Sequence, residues 1–242
     1  MKVYAKTDKG VVRKTNQDAF AVREMKDGTV IAIVCDGMGG VNGGEEASAM
    51  TVDTVIDIIA SKYDGEMTKD ALETLLDESI SKANELVKRE ADRNESKRGM
   101  GTTAVVAVAK NDEVTVAFVG DSRAYIISQE DIRMITHDHS FVQAMVDMGQ
   151  ITEEEAKIHP HRNIITRAVG SEDTVAVDIN TAKLSQGEIV LICTDGLSGS
   201  VEAEQMAQII RNDMENCAEL LIEAAINGGG SDNITAVVLC NL

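Results

Sequence analysis

The amino-acid sequence predicts an α+β fold in which pairs of helices lie outside an antiparallel β-sandwich, giving α-β-β-α layers. Short apolar or alternating runs bounded by turn residues recur along the chain and are typical of strands. Helical patterns occur as two pairs, one early and one late, rather than between successive strands. Because helices do not alternate with strands, we expect helix layers around an antiparallel sandwich and not a doubly wound parallel sheet.

The predicted strands are short apolar or alternating runs. They are Lys2–Lys6, Ala19–Met25, Val30–Cys35, Thr103–Ala109, Val114–Val119, Ala124–Ile127, Val175–Ile179, Ile189–Cys193 and Ile234–Cys240. The dipeptides Asp27-Gly28 and Asn111-Asp112 predict tight hairpin turns between neighbouring strands. Strands joined by such turns are antiparallel, so most of the sheet structure should be antiparallel.

Other stretches have the apolar spacing of amphipathic helices. The residues of the early pair are Val52, Val55, Ile56 and Ile59, then Leu72, Leu75, Leu76, Ile80, Ala83 and Val87. Those of the late pair are Met206, Ile209 and Ile210, then Leu220, Leu221, Ala224 and Ala225. The glycines at 228–230 are expected to end the last helix.

One segment differs from the rest of the chain. Ser140 to about Gly170 consists of short amphipathic pieces and contains the only proline, Pro160. We predict a single domain over residues 1–242, with this segment, at roughly residues 140–170, as an inserted flap. A length of 242 residues fits one domain of this class.

Composition and charge exclude several classes of function. The chain has 41 acidic and 23 basic residues and a formal charge of −18, which repels nucleic acid and anionic membranes, so we expect neither as a partner. The first residues form no apolar signal segment, and no apolar run is long enough to span a bilayer. The four cysteines are widely spaced and form no Cys-x-x-Cys pair, which disfavours zinc binding and a disulfide framework. We expect a cytoplasmic protein.

Aspartates stand where predicted strands begin or end. Apolar runs lead directly into Asp36, Asp121 and Asp195, whereas Asp18 and Asp232 come just before a strand. In an antiparallel sheet the end of one strand lies beside the start of its neighbour, so all five carboxylates could gather along one edge. Two like charges about 4 Å apart repel by roughly 4 kcal/mol at an effective dielectric of 20, so such a cluster requires cations. All-oxygen ligation favours Mg²⁺ or Mn²⁺ over zinc.

Asp-Gly pairs are also common turn signals, and those at Asp27 and Asp64 are interpreted only as turns. The pair at Asp36 differs because it follows a buried strand and opens a glycine-dense run before a helix. That run would let the backbone come close to a metal ion or a phosphate group. Its glycines are Gly37, Gly39, Gly40, Gly43 and Gly44.

Short motifs with a characteristic order run through essentially the whole chain. They are Arg13, Asn16-Gln17-Asp18, Asp36-Gly37-Met38-Gly39-Gly40, Gly101-Thr102-Thr103, Gly120-Asp121-Ser122-Arg123, Ile165-Thr166-Arg167-Ala168-Val169-Gly170, Thr194-Asp195-Gly196-Leu197 and Ser231-Asp232-Asn233-Ile234-Thr235. In this order they resemble the motifs of the bacterial type 2C metal-dependent serine/threonine protein phosphatases. The resemblance implies a central β-sandwich flanked by helix pairs, in agreement with the strand and helix patterns.

The resemblance also implies a centre of two Mn²⁺ or Mg²⁺ ions. One ion would be held by Asp36, Asp195 and Asp232. The other would be held by Asp18, Asp36 and the carbonyl group of Gly37, so that Asp36 bridges the two ions.

Further roles follow from the same resemblance. Asp121 and Asp195 would offer a weaker third metal site, and Arg13 would bind the substrate phosphate, to which a guanidinium group is well matched. The implied mechanism is attack on phosphorus by a metal-bridging hydroxide, with Asp36 and Arg13 as the catalytic residues. A thiolate nucleophile at Cys35 is disfavoured because this residue lies in an apolar run without an adjacent base.

The group that protonates the leaving oxygen is left open. Eukaryotic relatives carry a histidine directly after the Asp-Gly pair, whereas this chain has Met38. The remaining candidates are His137, His139, His159 and His161. We interpret these histidines as loop residues with local hydrogen bonds, and Arg123 and Arg167 as partners in structural ion pairs.

The resemblance implies phosphorylated proteins as substrates, with a serine/threonine kinase and its targets as partners, and we expect a monomer. One alternative is a catalytically silent phosphoprotein-binding module, which the intact set of Arg13 and the aspartates disfavours. A second is a phosphatase of an anti-sigma regulatory system. A third is an all-helical phosphohydrolase built on His137-Asp138, which the many predicted strands disfavour.

Overall fold

The computed structural model describes residues 1–241 and contains two antiparallel sheets with helices outside them. The strands are β1 (Lys2–Asp8), β2 (Asp18–Glu24), β3 (Val30–Met38), β4 (Gly101–Thr102), β5 (Ala104–Lys110), β6 (Glu113–Val119), β7 (Arg123–Ile127), β8 (Ile132–Met134), β9 (Asp178–Lys183), β10 (Ile189–Cys193) and β11 (Ile234–Cys240). The α-helices are α1 (Gly40–Lys62), α2 (Lys69–Arg93), α3 (Phe141–Asp147), α4 (Glu153–Ile158), α5 (Asp195–Ser198), α6 (Ala203–Asn212) and α7 (Cys217–Asn227).

Each sheet has an order that brings hairpin neighbours together. The first sheet runs β2-β3-β5-β6-β9, with β4 paired to the end of β3, and the second runs β1-β11-β10-β7-β8. The hairpins predicted at residues 27–28 and 111–112 are confirmed, since β2 pairs with β3 and β5 pairs with β6. All pairings among the described strands are antiparallel, as the turn signals predict.

The space between the two sheets is filled by aliphatic side chains. Val34 of β3 and Phe118 of β6 lie in one buried cluster with Ile192 and Leu239 of the other sheet. Phe118 is the only aromatic side chain in this cluster that is fully buried among the described residues. The low aromatic content therefore leaves Val, Ile, Leu and Ala to close the sandwich, and full burial of each larger one contributes about 1.5–3 kcal/mol.

The outer face of each sheet is covered by a helix pair. Successive side chains of β3 point to opposite faces of the sheet, so Ile33 lies on the outer face, in a cluster with Leu76 of α2. On the second sheet Leu191 faces outward and packs with Leu221 of α7. These contacts confirm the predicted α-β-β-α layers. Within residues 1–241, none of the helices is long and apolar enough to cross a membrane.

The predicted strand Val175–Ile179 is wrong, because the strand in this region is β9, Asp178–Lys183. Val175 and Val177 pack against the α1–α2 side of the core without joining the sheet, which produces an alternating pattern without strand pairing. β9 is an edge strand paired only with β6, so half-exposed polar residues are tolerated in it. The patterns also missed β4 and β8, which have two and three residues and are too short to show a period.

The segment predicted as an insertion contains α3 and α4. Ser140 caps α3 by accepting the backbone N–H of Gln143, and Thr152 forms a capping box with Glu155 at the start of α4. The two ends of the segment meet where Ser140 pairs with Ile165. Both helices are short, and their residues are mostly exposed or half-buried.

Asn84 joins α2 to the chain that precedes β9. Its Oδ1 accepts the backbone N–H of Gly170 at 2.7 Å, and its Nδ2 donates to the carbonyl of Glu172 at 3.0 Å. We predict that Asn84→Ala lowers the free energy of unfolding by about 2–3 kcal/mol, because buried backbone groups lose their partners. Ser81→Ala, on the exposed face of the same helix, should change it by less than about 0.5 kcal/mol. Equal urea midpoints for the two variants would contradict this role for Asn84.

Candidate active site

The predicted aspartates gather at one end of the two sheets. Asp18 begins β2 and lies directly opposite Asp36, near the end of β3. Asp121 follows β6, Asp195 follows β10 and Asp232 precedes β11. One cleft of about 320 Å³ is lined by Asp36, Asp121, Asp195 and Asp232. Asp18 lies close enough to Asp36 for the two charges to interact. The structure therefore brings together all five carboxylates that the sequence placed on one edge.

Glycine is required at two points where the chain turns beside these aspartates. A Cβ on Gly37 would lie 2.1 Å from the carbonyl oxygen of Gly44, and one on Gly196 would lie 1.9 Å from the carbonyl oxygen of Asn233. Both distances are far below van der Waals contact, so no other residue fits. The glycine-dense run after Asp36 thus lets α1 pack directly on the end of β3.

Burial and mutual repulsion shift the acidities of the cluster. Burial, with a smaller contribution from the charges of Asp195 and Asp232, raises the pKa of Asp18 to about 7, against hydrogen bonds that lower it. Burial likewise raises the pKa of Asp121 to about 7. The pKa of Asp36 is raised well above its usual value, first by burial and then by the charge of Asp18. Ionisation of the whole cluster is therefore costly without a compensating cation.

The carboxyl groups of Asp36 and Asp195 lie close enough to interact, which contributes to the raised pKa of Asp36. One contact inside the cleft compensates part of this charge. Asp232 accepts a hydrogen bond from Arg13, with 2.7 Å between Nη2 and Oδ2. With this contact in place, no three His, Cys, Asp or Glu side chains of residues 1–241 converge closely enough to hold one ion. A cation that binds Asp232 has to displace the guanidinium group of Arg13.

The donor set nevertheless fits a hard divalent cation. Oδ1 of Asp18 and Oδ1 of Asp195 are buried and have no hydrogen-bond partner among the described residues. Leaving a buried polar atom without a partner costs about 1–3 kcal/mol, so such atoms are rare in native proteins. Carboxylate oxygens are the ligands that Mg²⁺ and Mn²⁺ prefer. The unpartnered oxygens are thus available for metal coordination.

Two threonines that the sequence reasoning missed orient Asp18. The hydroxyl groups of Thr194 and Thr235 donate to Asp18 Oδ2 at 2.9 and 2.6 Å. These bonds use one carboxylate oxygen and leave the other without a partner. The only signal in the sequence is that both threonines lie within motifs that contain a predicted ligand.

Asn233 positions the loop that carries Arg13, and the sequence reasoning missed this role as well. Its Nδ2 donates to the carbonyl of Thr15 at 2.9 Å, and its Oδ1 accepts the backbone N–H of Gln17 at 2.8 Å. Asn233 directly follows Asp232, so the predicted phosphate-binding loop and a predicted metal ligand are held together. The Arg13 side chain lines the cleft and is 51% exposed.

The thiol of Cys35 is unsuited to act as the nucleophile. It is fully buried, and this burial raises the pKa of Cys35 well above its usual value. The charges of Asp18 and Asp36 disfavour the thiolate further. Met38 occupies the position of the eukaryotic histidine and lines the cleft, where its side chain has no proton to donate.

Three of the four histidines make contacts near the flap, as the sequence interpretation expects, whereas for His139 the interpretation is wrong, because this residue is buried and bonds to the distant Gly120 and Asp178. His137 bonds to Asp147 across 2.9 Å, whereas His159 and His161 pack around the ring of Phe141. Among the described residues, those that line the cleft include no histidine.

Arg123 and Arg167 form the predicted structural ion pairs. Arg123 makes a bidentate contact with Asp138, with 2.7 Å between Nη2 and Oδ2, and Arg167 Nη1 lies 2.8 Å from Asp178 Oδ1. Neither arginine is among the residues that line the cleft in the described part of the chain.

The family model for protein phosphatase 2C matches residues 11–224. The chain belongs to the protein phosphatase 2C family. This phosphatase 2C chain is 36% identical over 236 residues to the serine/threonine phosphatase Stp of Listeria innocua, an alignment that covers 97% of the chain and 93% of that relative.

Solved structures of the phosphatase 2C family share the fold of the chain. The crystal structure of the serine/threonine phosphatase Stp1 from Staphylococcus aureus is similar to it with a TM-score of 0.91 and 33% identity, covering 98% of this chain and 93% of that one. The catalytic domain of the serine/threonine protein phosphatase PstP in complex with two manganese ions is similar with a TM-score of 0.84 and 30% identity, covering 98% and 96%.

The raised pKa values of the cluster predict a distinctive dependence of stability on pH. Because the pKa of Asp18 and of Asp121 is about 7 in the folded chain and 3.8 without the fold, the folded state binds more protons between these values. The contribution of the cluster to stability therefore falls as pH rises through that range. We predict that Asp36→Asn, which removes one charge, raises the Tm of the metal-free protein at pH 8 by roughly 2–4 °C and at pH 5 by much less.

The control is Asp57→Asn on the exposed face of α1, which removes the same charge and should shift Tm by no more than about 1 °C. Added Mn²⁺ should raise the Tm of the wild type at pH 8 and have little effect on Asp36→Asn. Differential scanning calorimetry in a chelator, then with Mn²⁺, measures both effects. Equal Mn²⁺ stabilisation of the wild type and Asp36→Asn would remove Asp36 from the proposed metal site.

Proposed function

We propose that this protein serine/threonine phosphatase hydrolyses phosphoserine and phosphothreonine in proteins at a two-metal centre built on its clustered aspartates. The observation that carries the proposal is the pair of unpartnered buried oxygens, on Asp18 and Asp195, beside a cleft whose exposed side carries Arg13. Relatives named serine/threonine phosphatases support the same activity. The two manganese ions in the PstP catalytic domain support the metal centre.

The proposed ligands are those that the family resemblance implies, and the gathering of these carboxylates at one cleft supports them. One ion is assigned to Asp36, Asp195 and Asp232, and the second to Asp18, Asp36 and the carbonyl of Gly37. Asp36 is proposed as the shared ligand because it lies opposite Asp18 and close enough to Asp195 to interact with it. Divalent cations bound there would lower the pKa of a coordinated water and neutralise charge on the phosphoryl group.

The backbone around Asp36 is held rigidly for this role. Its N–H donates to the hydroxyl oxygen of Thr103 at 2.9 Å, and its carbonyl accepts from the hydroxyl of Thr102 at 2.8 Å. Both threonines are buried. A ligand that is fixed before substrate arrives needs no reorganisation during the reaction, which is a main source of electrostatic catalysis.

Arg13 is proposed to bind the phosphate oxygens of the substrate. Its guanidinium group presents a planar fork of donors that matches phosphate. In the described chain its one ion pair is with Asp232, and an exposed pair of this kind is worth about 0–1 kcal/mol. The pair is therefore easily exchanged when Asp232 binds a cation and a phosphate dianion enters the cleft.

We infer further that the ions are Mn²⁺ or Mg²⁺ and that Asp121 with Asp195 offers a weaker third site. The substrates are inferred to be proteins phosphorylated by a serine/threonine kinase, in signal transduction in the cytoplasm, with the phosphatase acting as a monomer. The acidic surface, with a formal charge of −18, favours protein substrates over nucleic acid or an anionic membrane.

Hydrolysis of a phosphothreonine peptide tests the proposed function. We predict phosphate release with Mn²⁺, its loss in a chelator, and at least a hundredfold lower turnover for Asp232→Asn, because one ion loses a ligand (about 3 kcal/mol of transition-state stabilisation). Circular dichroism should show that the variant keeps its fold. Metal-independent phosphate release, or binding of the peptide without any hydrolysis, would contradict the proposal and favour another mechanism or a silent binding module.

The role of Arg13 has its own kinetic signature. A side chain that grips phosphate in both the ground state and the transition state contributes uniform binding, so Arg13→Ala should raise KM about tenfold with a smaller fall in kcat. Arg13→Lys keeps the charge without the fork and should recover part of the loss. Lys14→Ala, at the exposed neighbouring position, serves as the control and should leave KM unchanged. Unchanged KM for Arg13→Ala at saturating Mn²⁺ would leave phosphate recognition to the metal ions.

A further inference from the structure

Asp121 lies in a sharp turn between β6 and β7 whose shape depends on the residue before it. Gly120 has a φ of 104°, and a Cβ there would lie 2.5 Å from Cγ2 of Thr103. The turn therefore lies directly on the Thr103 side chain and admits only glycine. The direction of the Asp121 carboxylate consequently depends on how the Gly120 peptide groups are held.

His139 holds Gly120 through two hydrogen bonds. The backbone N–H of His139 donates to the Gly120 carbonyl at 2.9 Å, and the Gly120 N–H donates to Nδ1 of the His139 ring at 3.0 Å. The side chain of His139 is only 6% exposed, and its ring stacks on Phe118 with centroids 5.4 Å apart. The imidazole is thus fixed against the end of β6.

The hydrogen bond that Nδ1 accepts fixes the tautomer of His139. Because Nδ1 accepts the Gly120 N–H, the proton of the neutral ring is on Nε2, which donates to Asp178 Oδ2 at 3.1 Å. Arg167 Nη1, 3.0 Å from Nε2, also donates to Asp178, so this carboxylate accepts from both groups. Burial lowers the pKa of His139, which favours the neutral form in which Nδ1 accepts.

Asp138, the residue before His139, holds the other side of the same turn. Asp138 is buried and accepts two hydrogen bonds from Arg123, from Nε at 3.0 Å and from Nη2 at 2.7 Å. The consecutive residues Asp138 and His139 therefore bind positions 123 and 120, on either side of Asp121. Between them, the hydroxyl of Ser122 lies 2.7 Å from that of Thr103.

From these contacts we propose that His139 is a positioning residue for metal binding by Asp121, whose carboxylate it directs through Gly120. The inference rests on the proposed function in one respect, which is that Asp121 is a ligand of the third and weakest cation. Loss of the ring acceptor leaves the buried Gly120 N–H without a partner, so the turn relaxes away from Thr103. Groups that orient a metal ligand from outside the coordination sphere change metal affinity by about 10–100-fold when they are removed.

Two polar variants of similar size separate this role from general stability. His139→Asn places an oxygen near the position of Nδ1 and keeps the acceptor for Gly120, whereas His139→Gln places its polar end near Nε2 and loses it. In calorimetric titration of the metal-free protein with Mn²⁺, we expect His139→Gln to lower the affinity of the weakest site for Mn²⁺ at least about tenfold. The two tighter ions should be unaffected, and His139→Asn should bind all ions as the wild type does.

Asp121→Asn identifies the ion concerned, because it should remove the same weak ion and no other. Three outcomes would each overturn the inference. The first is an equal loss of Mn²⁺ affinity at the weak site in His139→Asn and His139→Gln. The others are an equal loss of affinity at all sites in His139→Gln, and binding of every ion by Asp121→Asn. The expected Mn²⁺ pattern in a protein that releases no phosphate from the phosphothreonine peptide would support it while overturning the proposed function.

Discussion

Burial of several carboxylates at one edge of the sandwich is the constraint on which the rest of the structure depends. Burial raises the pKa of Asp18, Asp36, Asp121 and Asp195. Two like charges about 4 Å apart repel by roughly 4 kcal/mol at an effective dielectric of 20. The fold carries this cost because three aliphatic clusters cover both faces of both sheets. Such local instability at a site of function is offset by stability elsewhere.

The groups around the cluster hold it in place without occupying the atoms that a cation needs. The hydroxyls of Thr194 and Thr235 bind one oxygen of Asp18 and leave the other without a partner among the described residues. Thr103 binds the N–H of Asp36 and also contacts Ser122, so the bridging ligand and the Asp121 turn share one support. This continuity explains why a side chain as remote as His139 can affect metal binding.

Much of the fold follows from local patterns in the sequence. Hairpin turns and strand-end aspartates predict that antiparallel neighbours bring their carboxylates together, and the pairing of Asp18 with Asp36 is one such case. The three residues of β8 are too few to show a period. The position of edge strand β9 could not be predicted, because it depends on pairing with the distant strand β6 and not on its own apolar pattern. The same reason hides Asn233 and His139, whose contacts join residues more than 15 positions apart.

The most direct test of the metal centre is diffraction at the manganese absorption edge from crystals grown with Mn²⁺. We predict two anomalous peaks within about 2.1 Å of the Asp36 carboxylate oxygens, with the Arg13 guanidinium moved from Asp232. Peaks confined to exposed surface carboxylates, with Arg13 still bonded to Asp232, would contradict the central claim that this cluster is built to hold metal ions.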